Sequence, residues 1–215
     1  MPLHRVRQSP FVLLFAGMTL PSELRRRVTR EEINDLPIRR YEGEVQVIAR
    51  SDEIASALDK ILEESVVGFD TETRPAFRVG DSHPPALAQV ATARAVYLFQ
   101  VRHREAVAAV ARILGEAHIV KAGIGLADDL KALKKVIEFA EKSIVDLGTV
   151  ATRQGLEQTG VRNLVGLFLG FRIPKGTKTS NWSRPQLTAQ QITYAATDAW
   201  ACRELYVRFR TLGFI

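Results

Sequence analysis

The chain has 215 residues, 46% hydrophobic and 25% charged, with a net charge of +6. That is the make-up of one folded domain with a sizeable core, which excludes a disordered or fibrous chain. A single cysteine, Cys202, excludes an internal disulfide framework and a cysteine-only metal cluster, and His4, His83, His103 and His118 are too scattered for a paired zinc signature. Any metal bound here needs oxygen ligands.

The basic excess is local. Residues 1–43 hold eight arginines against five acids, and 172–184 hold Arg172, Lys175, Lys178 and Arg184 with no acid. Such concentration suits a polyanionic partner. The apolar run over 11–18 is far below the ~20 residues that span a bilayer, and no small-residue cleavage site follows it. Residues 1–43 are therefore read as a basic amino-terminal extension, with Met18 as an alternative start. The domain proper is expected over 44–215, in a cytoplasmic protein without membrane association.

The segment 44–49 alternates like a strand at a sheet edge. Residues 52–63 place Ile54, Ala55, Leu58, Ile61 and Leu62 on one helical face. The short apolar run 66–69 suits a strand buried on both faces. Residues 87–92 and 96–101 form a strand pair joined at Ala93–Arg94, 104–114 a helix, and 119–122 another strand. Leu126, Leu130, Leu133 and Ile137 recur at helical spacing. A short strand follows at 144–145, with Asp146 as the cap of the next helix. A helix over 163–169 can end at Gly170. After the basic segment, Thr188 and Gln191 suit a capping box, opening a helix that runs to about Arg210. Strands alternating with helices predict an α/β domain, a mixed sheet covered on both faces.

Three stretches carry candidate chemistry. In 66–72, strand periodicity points Asp70 and Glu72 the same way; they are either solvated acids at a turn or a like-charge pair that a divalent cation resolves. In 118–135, a strand, Gly123-x-Gly125 and a helix suggest a dinucleotide turn, but Asp128 stands where the third glycine belongs. Two aspartates in the first helical turn would repel a pyrophosphate. Asp128 and Asp129 suit the positive end of the helix, and either can join Asp70 and Glu72 around a cation. On the long carboxy-terminal helix, Tyr194 and Asp198 lie one turn apart, on a stripe that continues through Ala201 and Leu205. Such an inward carboxylate needs a partner, a buried backbone group or a metal. Four carboxylates of this kind can hold two Mg²⁺ or Mn²⁺ ions about 4 Å apart.

With these motifs in order, the sequence resembles the tyrosine subclass of the DEDD 3′–5′ exonucleases. FDTET carries the first motif at Asp70 and Glu72, and KAGIGLADDLKAL the second, where the register after Gly125 favours Asp129. SNWSRPQLTAQQITYAATDAWA carries the third at Tyr194 and Asp198. The SNWS stretch and the KAGIG lead-in look closer to the Werner-like branch than to ribonuclease D. The resemblance covers roughly residues 44–210. It implies a ribonuclease H-like fold, two-metal catalysis with Mg²⁺ or Mn²⁺, and release of nucleoside 5′-monophosphates.

The implied catalytic set is Asp70, Glu72, Asp129, Tyr194 and Asp198, with the four carboxylates as metal ligands. The implied partner is a single-stranded or recessed 3′ end, DNA favoured over RNA, with no protein partner required. Lys175, Lys178 and Arg184 are candidates for gripping phosphates, and Arg74 and Phe77 for lining the cleft. Trp182 either packs near the substrate or anchors the loop. The alternatives are a ribonuclease D-like RNA 3′-end trimming enzyme and a catalytically silent nucleic-acid-binding module. Four acids facing a polyanion argue against the silent module.

Overall fold

The structure is a computed structural model that describes residues 26–75, 83–175 and 180–215. In chain order the elements are α1 (Arg30–Asn34), β1 (Glu44–Ile48), α2 (Ser51–Leu62), β2 (Val66–Thr73), β3 (Pro85–Ala91), β4 (Ala95–Gln100), α3 (Arg104–Gly115), β5 (Val120–Gly123), α4 (Leu126–Lys134), β6 (Ile144–Asp146), α5 (Leu147–Arg153), α6 (Val161–Leu169) and α7 (Ala189–Thr211).

The strands form one sheet in the order β1-β4-β3-β2-β5-β6. β3 runs antiparallel to both neighbours, whereas β1–β4, β2–β5 and β5–β6 pair in parallel. β1 is an edge strand, as its alternation predicts. β2 runs four residues beyond the expected 66–69, because β3 pairs with it through Asp70 opposite Gln89 and Glu72 opposite Leu87, up to an irregularity between Glu72 and Thr73.

Alternation along the central strands divides the core. Val67, Phe69, Ala88, Val90, Tyr97 and Phe99 join Ile54, Ile61, Val110 and Leu130 in a core with α2, α3 and α4. Val66 and Ala122 join a second core with α5, α6 and α7, and Leu87, Val96 and Leu98 pack with Ala195, Ala196 and Ala199 of α7. Helices thus cover both faces, as the element order predicts. The Thr188–Gln191 capping box that opens α7 is present, and Gly170 ends α6 with φ of 71°.

The short helix α1 lies where the sequence suggests only a basic leader. Its own capping box pairs Thr29 with Glu32. Ile33 is buried beneath α6, where a Cβ on Gly166 would stand 2.4 Å from its side chain. Arg39 N donates to Arg172 O, and Arg172 N to Pro37 O, each at 2.9 Å. Residues 26–43 are therefore tied at several points to the body formed by the rest of the described chain. Residues 1–25, including the apolar run 11–18, lie outside the described residues.

Candidate active site

β2 and α7 supply two sides of the site. Asp70 and Glu72 share the strand face of Gly68, which lies against α7; a Cβ on Gly68 would stand 1.9 Å from Ala199 O. That glycine lets the helix descend onto the strand and brings Asp198, one residue before Ala199, to the carboxylates of β2. Asp198 is only 6% exposed. Tyr194 precedes it by one turn, and its ring centroid lies 6.0 Å from that of Trp182.

The third side is the first turn of α4. Gly125 caps this helix with φ of 75°, a left-handed conformation that suits glycine. Asp146 holds the same turn, its Oδ2 accepting from Leu126 N at 3.0 Å while Oδ1 caps α5 through Thr149 N at 2.9 Å. The cap reading of Asp146 is correct, and the residue serves two helices. Asp129 is half-buried and accepts a short hydrogen bond from Thr71 Oγ1, whereas Asp128 is exposed.

The electrostatics are those of acids confined together. Burial pushes Asp70 well above the usual carboxylate range, reinforced by Asp198, Asp129 and Glu72. Glu72 is pushed up to about 8 by burial, then by Asp198 and Asp129. Burial raises Asp129 to about 6 against the Thr71 hydrogen bond. It raises Asp198 to about 6 against Tyr194 and Arg162. The Tyr194 hydroxyl is raised by burial and then by Asp198, so it keeps its proton at neutral pH.

Among the described residues, no ion pair involves any of the four carboxylates. Nor do three metal-ligating side chains there close into a ready-made coordination shell. Asp129 is turned onto Thr71, and mutual repulsion opposes closer approach. The donor set still fits hard divalent cations, which prefer carboxylate oxygens. Gln89 adds a second sign of incompleteness. It is fully buried opposite Asp70 on the same sheet face, and neither its Oε1 nor its Nε2 has a hydrogen-bond partner. A buried amide lacking partners beside a carboxylate cluster suits a site completed by a hydrated ion or a polar ligand.

The candidates for substrate contact divide. Arg74 and Arg184 are exposed and, with Arg102 and Trp182, line a cavity of about 200 Å³ beyond the end of β2. Lys175 is exposed and lines another of about 370 Å³ that reaches Tyr194. Trp182 is 2% exposed and packs in the α7 core. Phe77 and Lys178 lie outside the described residues. Thr71, Gln89 and Arg102 were not singled out by the sequence motifs. Thr71 falls inside FDTET, but its role depends on a helix 58 residues away.

The site thus stands on a six-stranded mixed sheet with one antiparallel inner strand and helices on both faces, with acids gathered at the end of the central strand β2. The sequence profile of the 3′–5′ exonuclease family matches residues 45–213. The chain belongs to that family. Over 69% of its length it is 32% identical to the mouse (Mus musculus) bifunctional 3′-5′ exonuclease/ATP-dependent helicase WRN, and over 83% it is 29% identical to the human exonuclease mut-7 homolog. It spans only 11% and 24% of those two proteins. Among solved structures, the Aedes aegypti Nibbler EXO domain superposes with a TM-score of 0.71 at 24% identity, covering 81% of this chain and 91% of that one. Escherichia coli RNase D superposes with a TM-score of 0.67 at 21% identity, covering 80% of this chain and 47% of the other. These two likenesses establish the fold.

Proposed function

We propose that this chain is a metal-dependent exonuclease that hydrolyses phosphodiester bonds from the 3′ end of nucleic acid and releases nucleoside 5′-monophosphates. The observation that carries the proposal is the meeting of Asp70, Glu72, Asp129 and Asp198 from three separate elements, with Tyr194 beside them. Evolution of a silent binding surface would not favour four unpaired acids facing a polyanion.

The four carboxylates are the residues that would hold two Mg²⁺ or Mn²⁺ ions. When bound, such ions supply an activated water and neutralise charge at the phosphate. The chain's own groups do the rest. Tyr194, whose hydroxyl meets Asp198, would place the attacking water or the phosphate. Asp146 holds the first turn of α4, and Thr71 bonds the Asp129 carboxylate directly. Gly68 lets α7 deliver Asp198. In the overall reaction, water adds to phosphorus, the bond from phosphorus to the 3′ oxygen breaks, and that oxygen takes a proton to become the new 3′ hydroxyl.

In this reading DNA is the favoured substrate and RNA trimming the alternative. Among the described residues no helix is long and apolar enough to cross a membrane. The cytoplasmic location remains part of the proposal, resting on a chain whose one cysteine is free and buried. The test is incubation of the purified chain alone with end-labelled single-stranded and recessed DNA and RNA of matched sequence. Stepwise shortening from the 3′ end in Mg²⁺ or Mn²⁺, abolished by EDTA, is expected. Full activity in EDTA, or no shortening of either polymer, would end the reading.

A further inference from the structure

The cavity of about 370 Å³ beside Tyr194 is lined by Arg40 and Lys175 together with Pro174, Ala189, Gln190 and Thr193. Arg40 precedes the residues 45–213 that match the family. It belongs to the segment that composition alone marks as a leader. Among the described residues the lining contains two cations and no acid, although the carboxylates of the candidate active site lie just past Tyr194. Ala189 and Gln190 are the first two residues of α7, so the positive end of a 23-residue helix faces the same space.

Arg40 is held in place by its neighbours. On one side, Arg39 N donates to Arg172 O at 2.9 Å, and the Arg39 guanidinium lies 5.5 Å from the centre of the Phe171 ring, which stacks on Trp200. On the other, Tyr41 N donates to Thr197 Oγ1 at 3.0 Å, on α7 one residue before Asp198. The backbone is thus tied to α7 and to the strand-like segment at Arg172, while the Arg40 side chain is exposed. An anchored backbone thus carries an exposed guanidinium to the cavity, and a guanidinium suits a phosphate partner.

We propose that Arg40, with Lys175, forms a phosphate-binding subsite for the strand being degraded, contacting a backbone phosphate next to the one at the carboxylates. The proposal rests on the nucleic-acid-degrading reading of the same site. The ligand chemistry is a phosphodiester, common to DNA and RNA. Arg40 is a positioning contact for the strand and takes no part in the bond-breaking step.

The test is binding of fluorescent single-stranded DNA and RNA of matched sequence by the full chain in EDTA, followed by anisotropy across a salt series. Because no turnover is needed, its outcome is separate from that of the cleavage assay. Arg40→Gln should weaken binding about three- to tenfold for both polymers. It should also lower the slope of log Kd against log salt by about 0.7, the share of one single-strand phosphate. Arg40→Lys should restore most of the slope. Arg30→Gln, which removes the same charge from exposed α1 outside the cavity, should leave the slope unchanged. An unchanged slope in Arg40→Gln, an equal loss in Arg30→Gln, an effect confined to one polymer, or no measurable binding by the wild type would each overturn the proposal.

Discussion

Gly68 on β2 lies directly beneath Ala199 on α7, so close that an added Cβ would stand 1.9 Å from the Ala199 carbonyl oxygen and 2.8 Å from Arg203 N. The obstacle is helix backbone, which cannot rotate aside as a side chain can. Gly68→Ala therefore has to lift α7 or displace β2, at a cost of about 2–3 kcal/mol. Asp198 sits next to the displaced contact and moves with it. The expected outcome is a melting temperature lower by about 4–12 °C and turnover lower by about a hundredfold. Thermal unfolding and a single-turnover cleavage assay would check both. Wild-type activity in a destabilised variant would show that this contact serves stability alone.

Much of the domain is legible in the sequence, for local reasons. Two-residue periodicity places Asp70 and Glu72 on one face, and four-residue spacing places Tyr194 over Asp198. The cap at Thr188, the stop at Gly170 and the cap at Asp146 are readable because capping is decided within a few residues. What escapes depends on distant partners. Ile33 is an isolated apolar residue among charges until Gly166 supplies its cover. Gln89 looks like one polar residue in an apolar strand, and only the register with β2 sets it opposite Asp70. Lys121 lies in the middle of a strand, yet it is fully buried, its ammonium donating to Glu116 O at 2.6 Å and Ile119 O at 2.8 Å. Trp182 lies in a basic loop segment, and its 2% exposure depends on packing against α7, which no local pattern encodes.

The metal-free protein should lose stability as pH rises. Unfolded carboxyls titrate near about 4, whereas in the fold Asp129 and Asp198 titrate at about 6 and Glu72 at about 8. Between these limits the folded state holds more protons than the unfolded one, so raising pH favours unfolding. The contribution is intact below about pH 4 and is lost through about pH 8. Surface acids such as Glu32, held down to about 2 by Arg26, act in the opposite sense at lower pH. In EDTA the melting temperature should fall between about pH 5 and about pH 8. Glu72→Gln should flatten that fall, and Mn²⁺ should raise the melting temperature more at the upper end, where its ligands are ionised. A wild-type profile no steeper than that of Glu72→Gln would contradict the carboxylate cluster.

The two adjacent aspartates of α4 should behave differently. Successive helical residues diverge by about 100°; Asp129 is half-buried and bonded to Thr71, while Asp128 is exposed. Asp129→Asn should reduce turnover by about a hundredfold or more, since it removes one of the proposed metal ligands. Asp128→Asn should change it by less than about twofold, as expected for a solvated surface charge. Thr71→Val keeps the shape but deletes the hydroxyl that orients Asp129. It should give an intermediate loss, partly recovered at high Mn²⁺ if the defect is weakened metal affinity. Metal titrations of activity for the three variants would separate these cases, and equal losses at 128 and 129 would overturn the assignment.

Tyr194 offers the sharpest separation of positioning from binding. Its hydroxyl lies with Asp198 at the edge of the carboxylate cluster, and its ring packs near Trp182, 6.0 Å between centroids. Tyr194→Phe removes the hydroxyl and keeps the ring, so the packing around Trp182 should persist and the melting temperature change by only a few degrees. If the hydroxyl places the attacking water, the contact matters mainly as the transition state forms. Its loss should then lower kcat and kcat/KM together by about ten- to a thousandfold, with KM and the Mn²⁺ requirement nearly unchanged. Asp198→Asn should instead shift the Mn²⁺ dependence as well, because it alters a proposed ligand. Steady-state kinetics at saturating and limiting Mn²⁺ would read both signatures side by side. A rise in KM alone for Tyr194→Phe would assign its hydroxyl to uniform substrate binding, and wild-type kinetics would leave it a packing residue of the α7 core.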